Sequence, residues 1–157
     1  QALPRLIQES RQNKALLSIV ALDIDNFKRV NDVYGHAMGD RVLLILTEIL
    51  RQEMPENSEM FRIGGDEFML LFRDCSVDKS AIVCQSLLSI AQGACLPDAQ
   101  GLELSFSCGI AGLSDTLSEP DKLFQAADAA LYLAKNHGKK RIVMHDEGTL
   151  VAGSSSA

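Results

Sequence analysis

Residues 60–72 read Met-Phe-Arg-Ile-Gly-Gly-Asp-Glu-Phe-Met-Leu-Leu-Phe, and the rest of the architecture can be worked out from this segment. Two short apolar runs, Met60–Ile63 and Phe68–Phe72, flank the polar and flexible residues 64–67. Two apolar runs separated by a loop that opens with Gly-Gly are typical of a β-hairpin. The segment therefore predicts two antiparallel strands whose connecting turn carries two carboxylates, Asp66 and Glu67.

The residues before this hairpin predict two helices and a strand. A helical pattern is already under way by Leu6, and Leu16–Leu22 is a nearly continuous apolar run. Such a run predicts a strand buried on both faces, which here ends at residues 23–25. Residues 40–53 repeat apolar side chains at helical steps, which predicts an amphipathic helix. Its predicted inward residues are Val42, Leu43, Leu46, Ile49 and Leu50.

The residues after the hairpin alternate between helix and strand patterns. Residues 79–94 predict a second amphipathic helix, and residues 102–111 predict a strand. The inward side of this helix is predicted to hold Ile82, Leu87, Ile90 and Ala91. Ser118, followed by Pro120, predicts the cap and first turn of a further helix that runs to about Asn136. Gly138 is its predicted stop, and residues 142–144 predict a last short strand.

These elements follow the order α-β-α-β-β-α-β-α-β around a βαββαβ core. That order predicts an α/β (α+β) fold of the ferredoxin-like or palm type, with a mostly antiparallel sheet flanked by helices. The chain is predicted to form one domain over residues 1–148, and residues 149–157 are predicted to be a disordered tail.

Composition excludes several classes of protein. The chain has 157 residues, of which 46% are hydrophobic, and a formal net charge of −6. The acidic balance argues against a nucleic-acid binder, which needs a basic face. No apolar run approaches the ~20 residues that span a bilayer, so no membrane contact is expected. The four cysteines, which form no Cys-x-x-Cys pair, are predicted to be buried free thiols in a reducing compartment.

Carboxylates follow the first predicted strand and fill the hairpin turn. Asp23 and Asp25 share a face if the strand continues, and the fold can bring Asp66 and Glu67 beside them. A cluster of up to four carboxylates with no nearby His or Cys favours a hard cation, Mg²⁺ or Mn²⁺. Such a site suits phosphoryl or nucleotidyl transfer. The alternative is that these residues only cap strands and form turns.

Residues 26–40 are predicted to form a polar loop between the core strand and the core helix. Its Asn and Asp side chains can recognise the edge of a purine base, and a loop that leads into a helix offers N–H groups to phosphate. The alternative is an ordinary surface loop in which His36 makes local hydrogen bonds. Lys135, Lys139, Lys140 and Arg141 cluster at the end of the last helix. They either offset the helix dipole or reach a phosphate chain.

Three ordered blocks resemble the diguanylate cyclase (GGDEF) family. Residues 62–68 contain the literal Gly-Gly-Asp-Glu-Phe signature, and residues 23–40 and 127–135 match two further blocks. The resemblance implies a fold related to nucleotidyl cyclases and a role in bacterial second-messenger signalling. It also implies a reaction in which two GTP molecules, held by a homodimer, become cyclic di-GMP with release of two pyrophosphates.

The resemblance implies roles for individual residues. The metal ions, two Mg²⁺ or Mn²⁺ per active site, would be bound by Asp23, the carbonyl of Ile24, Asp66 and Glu67. Asp66 would also accept the proton of the attacking 3′-hydroxyl, with Glu67 in support. Asn31 and Asp40 would recognise guanine. The remaining contacts to GTP would come from His36, Phe27, Lys28, Lys135 and Lys139. Lys139 stands where the family commonly has Arg, so it keeps the charge but loses bidentate geometry.

Two departures from the family pattern carry expectations. Pro55–Ser58 occupies the window of the family's Arg-x-x-Asp product-inhibition motif and has neither residue, which predicts no feedback through that site. The family's N-terminal Leu-Thr block is missing, so we expect a piece of a longer cytoplasmic or membrane-anchored protein with an N-terminal sensor or receiver domain. The competing hypothesis is a catalytically silent GTP-binding regulatory module. A purely structural interaction domain would require every polar block to be coincidental.

Overall fold

The computed structural model describes residues 2–96, 99, 101–146 and 149–152. In chain order the elements are α1 (Ala2–Gln12), β1 (Leu17–Ile24), α2 (Phe27–Tyr34), α3 (His36–Glu53), β2 (Ser58–Arg62), β3 (Glu67–Arg73), α4 (Val77–Gln92), β4 (Phe106–Gly112), α5 (Pro120–Asn136), β5 (Ile142–Asp146) and β6 (Thr149–Ala152). The strands form one sheet in the order β2-β3-β1-β4-β5-β6. The first four strands have the split βαβ arrangement of a ferredoxin-like core, so the predicted fold class is confirmed.

Strand β1 lies at the centre of the sheet and pairs antiparallel with both β3 and β4. Its side chains alternate between two apolar layers, as a pleated strand requires. Ile19 and Ala21 pack with α1 and α5, whereas Val20 and Leu22 pack on the opposite face with α3 and α4. Asp23 lies on the same face of the strand as Ile19 and Ala21, and its side chain therefore points towards α5.

Helix α5 lies unusually close to the sheet because β4 contains Gly109. A Cβ at that position would stand 2.1 Å from the Ala127 carbonyl oxygen and 2.2 Å from the Leu131 amide nitrogen. Both atoms are backbone, so no side-chain rotation could make room. The glycine thus sets the spacing between α5 and the sheet, and with it the position of the lysine at the end of α5.

The segment predicted as a loop is largely helical, so that prediction was wrong. Phe27–Tyr34 forms α2, and α3 begins at His36, four residues earlier than predicted. Val30 is buried and Phe27 packs against the core, which gives this short helix an apolar anchor. Gly35, with a φ of 91°, separates the two helices in a conformation that side chains disfavour.

Two helix predictions need correction in detail. Ile82 and Ile90, predicted to face inward, are 71% and 38% exposed. The buried stripe of α4 instead consists of Ser80, Ala81, Cys84, Leu87, Leu88 and Ala91. At the start of α5 the cap position is Glu119 rather than Ser118, and its side chain makes no capping hydrogen bond. The smaller residues Ala81 and Cys84 fit the contact with the sheet better than the β-branched side chains do.

The other end of α5 agrees with the predicted glycine stop. Gly138 has a φ of 114°, and the Lys139 amide donates to the Ala134 carbonyl at 2.9 Å. This bond closes the Schellman arrangement that a left-handed glycine permits after a helix. Lys139 and Lys140 also have positive φ values, 63° and 52°. The helix is therefore followed by three left-handed residues in succession.

The strand limits and the cysteines also differ from expectation. The predicted strand 102–111 is confirmed only from Phe106, where pairing with β1 begins. Thr149–Ala152, predicted to be tail, pairs antiparallel with β5, and residues 153–157 lie outside the described residues. Three cysteines are buried and free as predicted, but Cys95 is exposed. Among the described residues, no helix combines the length and apolar character needed to cross a bilayer.

Candidate active site

Three carboxylates meet where β1 ends beside the β2–β3 hairpin. Asp23 lies opposite Glu67 in the β1–β3 register, and the Ile24 amide donates to the Asp66 carbonyl at 3.0 Å. These main-chain contacts hold the hairpin turn against the strand end. Each of Asp23, Asp66 and Glu67 places an oxygen within 4.8 Å of the other two. The predicted meeting of strand end and hairpin is confirmed for these three side chains.

The Asp23 carboxylate is poorly compensated by its surroundings. Burial raises its pKa from 3.8 to about 7, against the lowering effect of Lys135, and Asp66 and Glu67 raise it further. Its Oδ1 atom is buried and has no hydrogen-bond partner. Buried polar oxygens normally have a hydrogen-bond partner. An unpaired oxygen beside two further carboxylates is a set of ligands that suits a hard cation. The donor set therefore fits a Mg²⁺ or Mn²⁺ ion.

Lys135, near the end of α5, contacts the same strand end. Its Nζ lies 3.7 Å from Asp23 Oδ2, 3.1 Å from Asp25 Oδ1 and 3.4 Å from the Ile24 carbonyl oxygen. The Ile24 side chain is buried, so only its backbone faces this cluster. The ammonium group offsets part of the negative charge, and the Lys135 side chain is 22% exposed.

Asp25 was predicted as a fourth member of the carboxylate group, and the structure corrects this. Its side chain is fully buried and is surrounded by donors. Oδ1 accepts from Ser107 Oγ at 2.6 Å and from Lys135, while Oδ2 accepts from Ser105 Oγ at 2.9 Å and from the Lys140 amide at 3.1 Å. With both oxygens saturated, Asp25 has no lone pair to spare for a metal ion.

Asn26 and Phe27 begin α2 at the edge of this cluster. Asn26 has a left-handed φ of 58°, and its Oδ1 accepts from Lys139 Nζ at 2.7 Å. The Asn26 side chain makes no capping hydrogen bond to the first turn of α2, in which Lys28 is exposed. The Phe27 ring itself packs against the core. The uncapped turn is therefore a candidate for binding an anion, to which Phe27 would contribute only its backbone.

The residues assigned to guanine lie on α2 and α3 rather than in the carboxylate cluster. Asn31 is half-buried on α2, and His36 and Asp40 are exposed near the start of α3. A Cβ on Gly39 would stand 1.9 Å from Asn31 Oδ1, so the Asn31 amide rests directly on the α3 backbone. Gly39, which precedes Asp40 in α3, thus makes room for the Asn31 amide, a role that the sequence analysis missed.

The signature turn is held by Arg62, which the sequence analysis also left without a role. Its Nε donates to the Gly64 carbonyl at 3.1 Å and its Nη2 to the Gly65 carbonyl at 2.8 Å. A Cβ on Gly65 would meet nothing within 4 Å, so the space over the turn is open. An arginine two residues before a Gly-Gly turn is the one sequence signal that could have suggested this contact.

Comparison with known proteins identifies the family. Residues 1–141 match the family model described as "Diguanylate cyclase, GGDEF domain". The chain is 32% identical over 141 residues to the diguanylate cyclase DgcS of Shewanella oneidensis, covering 88% of this chain and 46% of that protein. It is also 32% identical to an uncharacterized membrane protein of Staphylococcus haemolyticus, covering 91% of this chain and 41% of the relative. The chain thus spans less than half the length of these curated relatives.

Solved structures share the architecture. The GGDEF domain of a Pseudomonas aeruginosa protein superposes with a TM-score of 0.85 at 28% identity, covering 92% of this chain and 91% of that one. The active GGEEF domain of a Vibrio cholerae diguanylate cyclase gives a TM-score of 0.87 at 24% identity, covering 92% of both chains, which supports the fold alone. With the signature on the β2–β3 turn and the family model matched over residues 1–141, this chain belongs to the diguanylate cyclase GGDEF domain family.

Proposed function

We propose that this domain is an active diguanylate cyclase that condenses two GTP molecules into cyclic di-GMP. The observation that carries the proposal is the cluster of Asp23, Asp66 and Glu67, in which a buried Asp23 oxygen has no partner. In each half-reaction the 3′-hydroxyl of one GTP attacks the α-phosphorus of the other. A new P–O bond forms, the bond to the β-phosphate oxygen breaks, and pyrophosphate leaves.

The metal would be held by Asp23, the Ile24 carbonyl, Asp66 and Glu67, as Mg²⁺ or Mn²⁺ with two ions per site. When bound, it would lower the charge of the triphosphate and stabilise the attacking and leaving oxygens. Asp66 would take the proton from the 3′-hydroxyl, because its half-exposed carboxylate lies at the open turn. Glu67, which is exposed beside it, would keep the local charge suited to the cation.

The nucleotide would lie across α2 and the end of α5. Asn31 and Asp40 would recognise the guanine edge, since an amide and a carboxylate together offer donors and acceptors in a fixed pattern. His36, exposed at the start of α3, would lie beside the base. The phosphates would meet the uncapped first turn of α2 together with Phe27, Lys28, Lys135 and Lys139.

Turnover would require a second copy of the domain, because one GTP must be presented to the other in opposite orientation. We further propose that the whole protein is longer than this domain and acts in the cytoplasm. An N-terminal sensor or receiver domain would then control how the two cyclase domains meet. No feedback by cyclic di-GMP is expected through the turn Pro55–Ser58, which lacks the Arg and Asp of the family's inhibitory motif.

The decisive experiment measures cyclic di-GMP formed from GTP and Mg²⁺ over a range of protein concentrations. A rate that rises with about the square of concentration, because two copies must meet, would support the proposal. If GTP binds but no product forms, fusion to a dimerising helix separates two explanations. Product from the fusion would show that only dimerisation was lacking, whereas no product would favour the silent GTP-binding module.

A further inference from the structure

Asp25 connects the parts of the site that carry positive charge. Each of its two oxygens accepts two hydrogen bonds. The four donors are Ser105, just before β4, Ser107 in β4, Lys135 in α5, and the Lys140 amide in the turn after α5. We propose that Asp25 is a positioning residue that fixes Lys135 and, through the Lys140 amide, Lys139 for binding the triphosphate. This inference rests on the proposed function, since it assigns both lysines to the substrate.

The first step of the argument is that an acceptor oxygen is needed at both the Oδ1 and the Oδ2 position of Asp25. The Lys135 ammonium and the Lys140 N–H have no lone pair, so each needs an acceptor. An amide in place of Asp25 would turn its NH₂ towards one of them in either orientation. The serine hydroxyls could rotate and accept, whereas the two lysine groups could not. Each orientation therefore releases one of the two lysines.

The second step concerns the backbone of the turn. Gly138, Lys139 and Lys140 all have positive φ, and a side chain makes that conformation unfavourable at the last two positions. Such strain persists only where the surroundings compensate for it. The hydrogen bond from the Lys140 amide to Asp25 Oδ2, at 3.1 Å, provides this compensation from a buried anion. Charge-assisted hydrogen bonds are the strongest that a neutral N–H can make.

The third step is the consequence for Lys139. Its Nζ lies 2.7 Å from Asn26 Oδ1, at the entrance to α2, only while the turn keeps its left-handed shape. If the turn relaxes, the Lys139 stem starts from a different direction and leaves the α2 N-terminus. Asp25 thus affects substrate binding without contacting the substrate, because it accepts one hydrogen bond from the Lys135 side chain and one from the Lys140 backbone amide.

The test is a double-mutant cycle on the affinity for a non-hydrolysable GTP analogue with Mg²⁺. We expect Asp25→Asn to weaken binding about 10-fold or more, the scale of one charge-assisted contact. Lys135→Ala and Lys139→Ala should each weaken binding about 10-fold in the wild type, and for the lysine that the amide releases the loss should fall below about 2-fold in the Asp25→Asn background. Independent losses in both double variants, or unchanged affinity of Asp25→Asn, would overturn the proposal.

Matched controls separate positioning from general damage. Asp115→Asn makes the same chemical change at an exposed aspartate after β4 and should leave affinity unchanged. Ser107→Ala removes one donor but keeps the carboxylate, so affinity should stay within about 2-fold. A loss in Ser107→Ala as large as that in Asp25→Asn would assign the effect to packing and contradict the proposal.

A measurement on the unmutated protein covers the case in which Asp25→Asn does not fold. Hydrogen exchange should show the Lys140 amide protected about 10-fold or more relative to an unstructured peptide. Unprotected exchange at Lys140 would refute the anchoring bond whatever the variants do. If the unmutated protein binds no GTP analogue, the proposed function fails, and the positioning of the turn is then judged on this exchange result alone.

Discussion

Asp23 and Asp25 stand two residues apart at the end of one strand, yet their surroundings are opposite. Asp23 has a buried oxygen without a partner and a pKa raised by burial, whereas Asp25 has four donors on two oxygens. The under-bonded carboxylate can take a ligand, and the saturated one can only hold its neighbours in place. Two identical residues at the end of one strand can therefore have different roles, one in binding and one in positioning, because their hydrogen bonds differ.

The largest effect on activity is expected at Asp66, the residue of the signature turn that lies beside Asp23. Asp66→Ala should lower cyclic di-GMP formation at least about 100-fold, because a preorganised charge at the reacting centre is lost. Its side chain is half-exposed, so thermal unfolding should change little. Asp115→Ala serves as the matched control. Full activity in the Asp66 variant would remove the basis for its roles as base and metal ligand.

The contrast between the two aspartates predicts opposite changes in stability. In chelator at pH 8, Asp25→Asn should lower the free energy of unfolding by about 3 kcal/mol, because a buried ion pair loses one partner. Asp23→Asn should leave it unchanged or raise it. The pKa of Asp23 is raised in the folded state from 3.8 to about 7, so the free energy of unfolding falls as the pH rises between these two values. An asparagine at this position does not ionise and avoids that loss of stability. Denaturant unfolding of both variants checks the signs, and equal destabilisation would break the comparison.

The stability gained on adding a metal ion should also differ between the Asp23→Asn and Asp25→Asn variants. Mn²⁺ at 100 times its dissociation constant should stabilise the unmutated protein by about 2.7 kcal/mol. Asp23→Asn should lose most of this gain, whereas Asp25→Asn should keep it although its starting stability is lower. Thermal unfolding with and without Mn²⁺ provides the measurement. Retention of the full gain by Asp23→Asn would show that the ion binds elsewhere.

A smaller effect, on the affinity for GTP, is expected where Asn31 contacts Gly39, at the residues proposed to recognise guanine. Gly39→Ala places a Cβ 1.9 Å from Asn31 Oδ1, so the amide must move. We expect GTP affinity to fall by about 1–3 kcal/mol, as for Asn31→Ala, since the same hydrogen bonds are lost. Combining both changes should add little. Titration with a fluorescent GTP analogue measures this, and fully additive losses would contradict the assigned contact.

The smallest effect is expected at the turn between α3 and β2. Replacing Glu56 and Ser58 by alanine should leave any inhibition by cyclic di-GMP unchanged, because this turn lacks the basic and acidic pair of the inhibitory motif. Initial rates with and without added product provide the check. Inhibition that disappears in the double variant would place a product site at this turn.

Local patterns were sufficient to predict β1, the β2–β3 hairpin and the meeting of their carboxylates. The apolar run before Asp23 and the Gly-Gly turn before Asp66 both carry strong signals within a few residues. Helix α2 was missed because its eight residues are fewer than the window of about 11–18 over which a helical period is read. The outward placement of Ile82 was missed because helix packing favoured small residues against the sheet.

The role of Asp25 could not be predicted, for a different reason. Its partners lie 80 to 115 residues away, at the start of β4, on α5 and in the turn that follows α5. Strand-end position alone makes Asp23 and Asp25 equivalent, and only tertiary contacts distinguish them. The same holds for Gly39, whose importance lies in a contact between two helices that the sequence pattern did not separate.

The central position of β1 also sets when the site can form during folding. Asp23 acquires Lys135 across 112 residues of chain, and the hairpin reaches Asp23 only after β3 has paired with β1. Contacts of such sequence separation form late, because closing long loops costs entropy before the contacts repay it. The complete site, with Lys135 in place, is therefore expected only once the hairpin has paired with β1 and α5 has packed against the sheet.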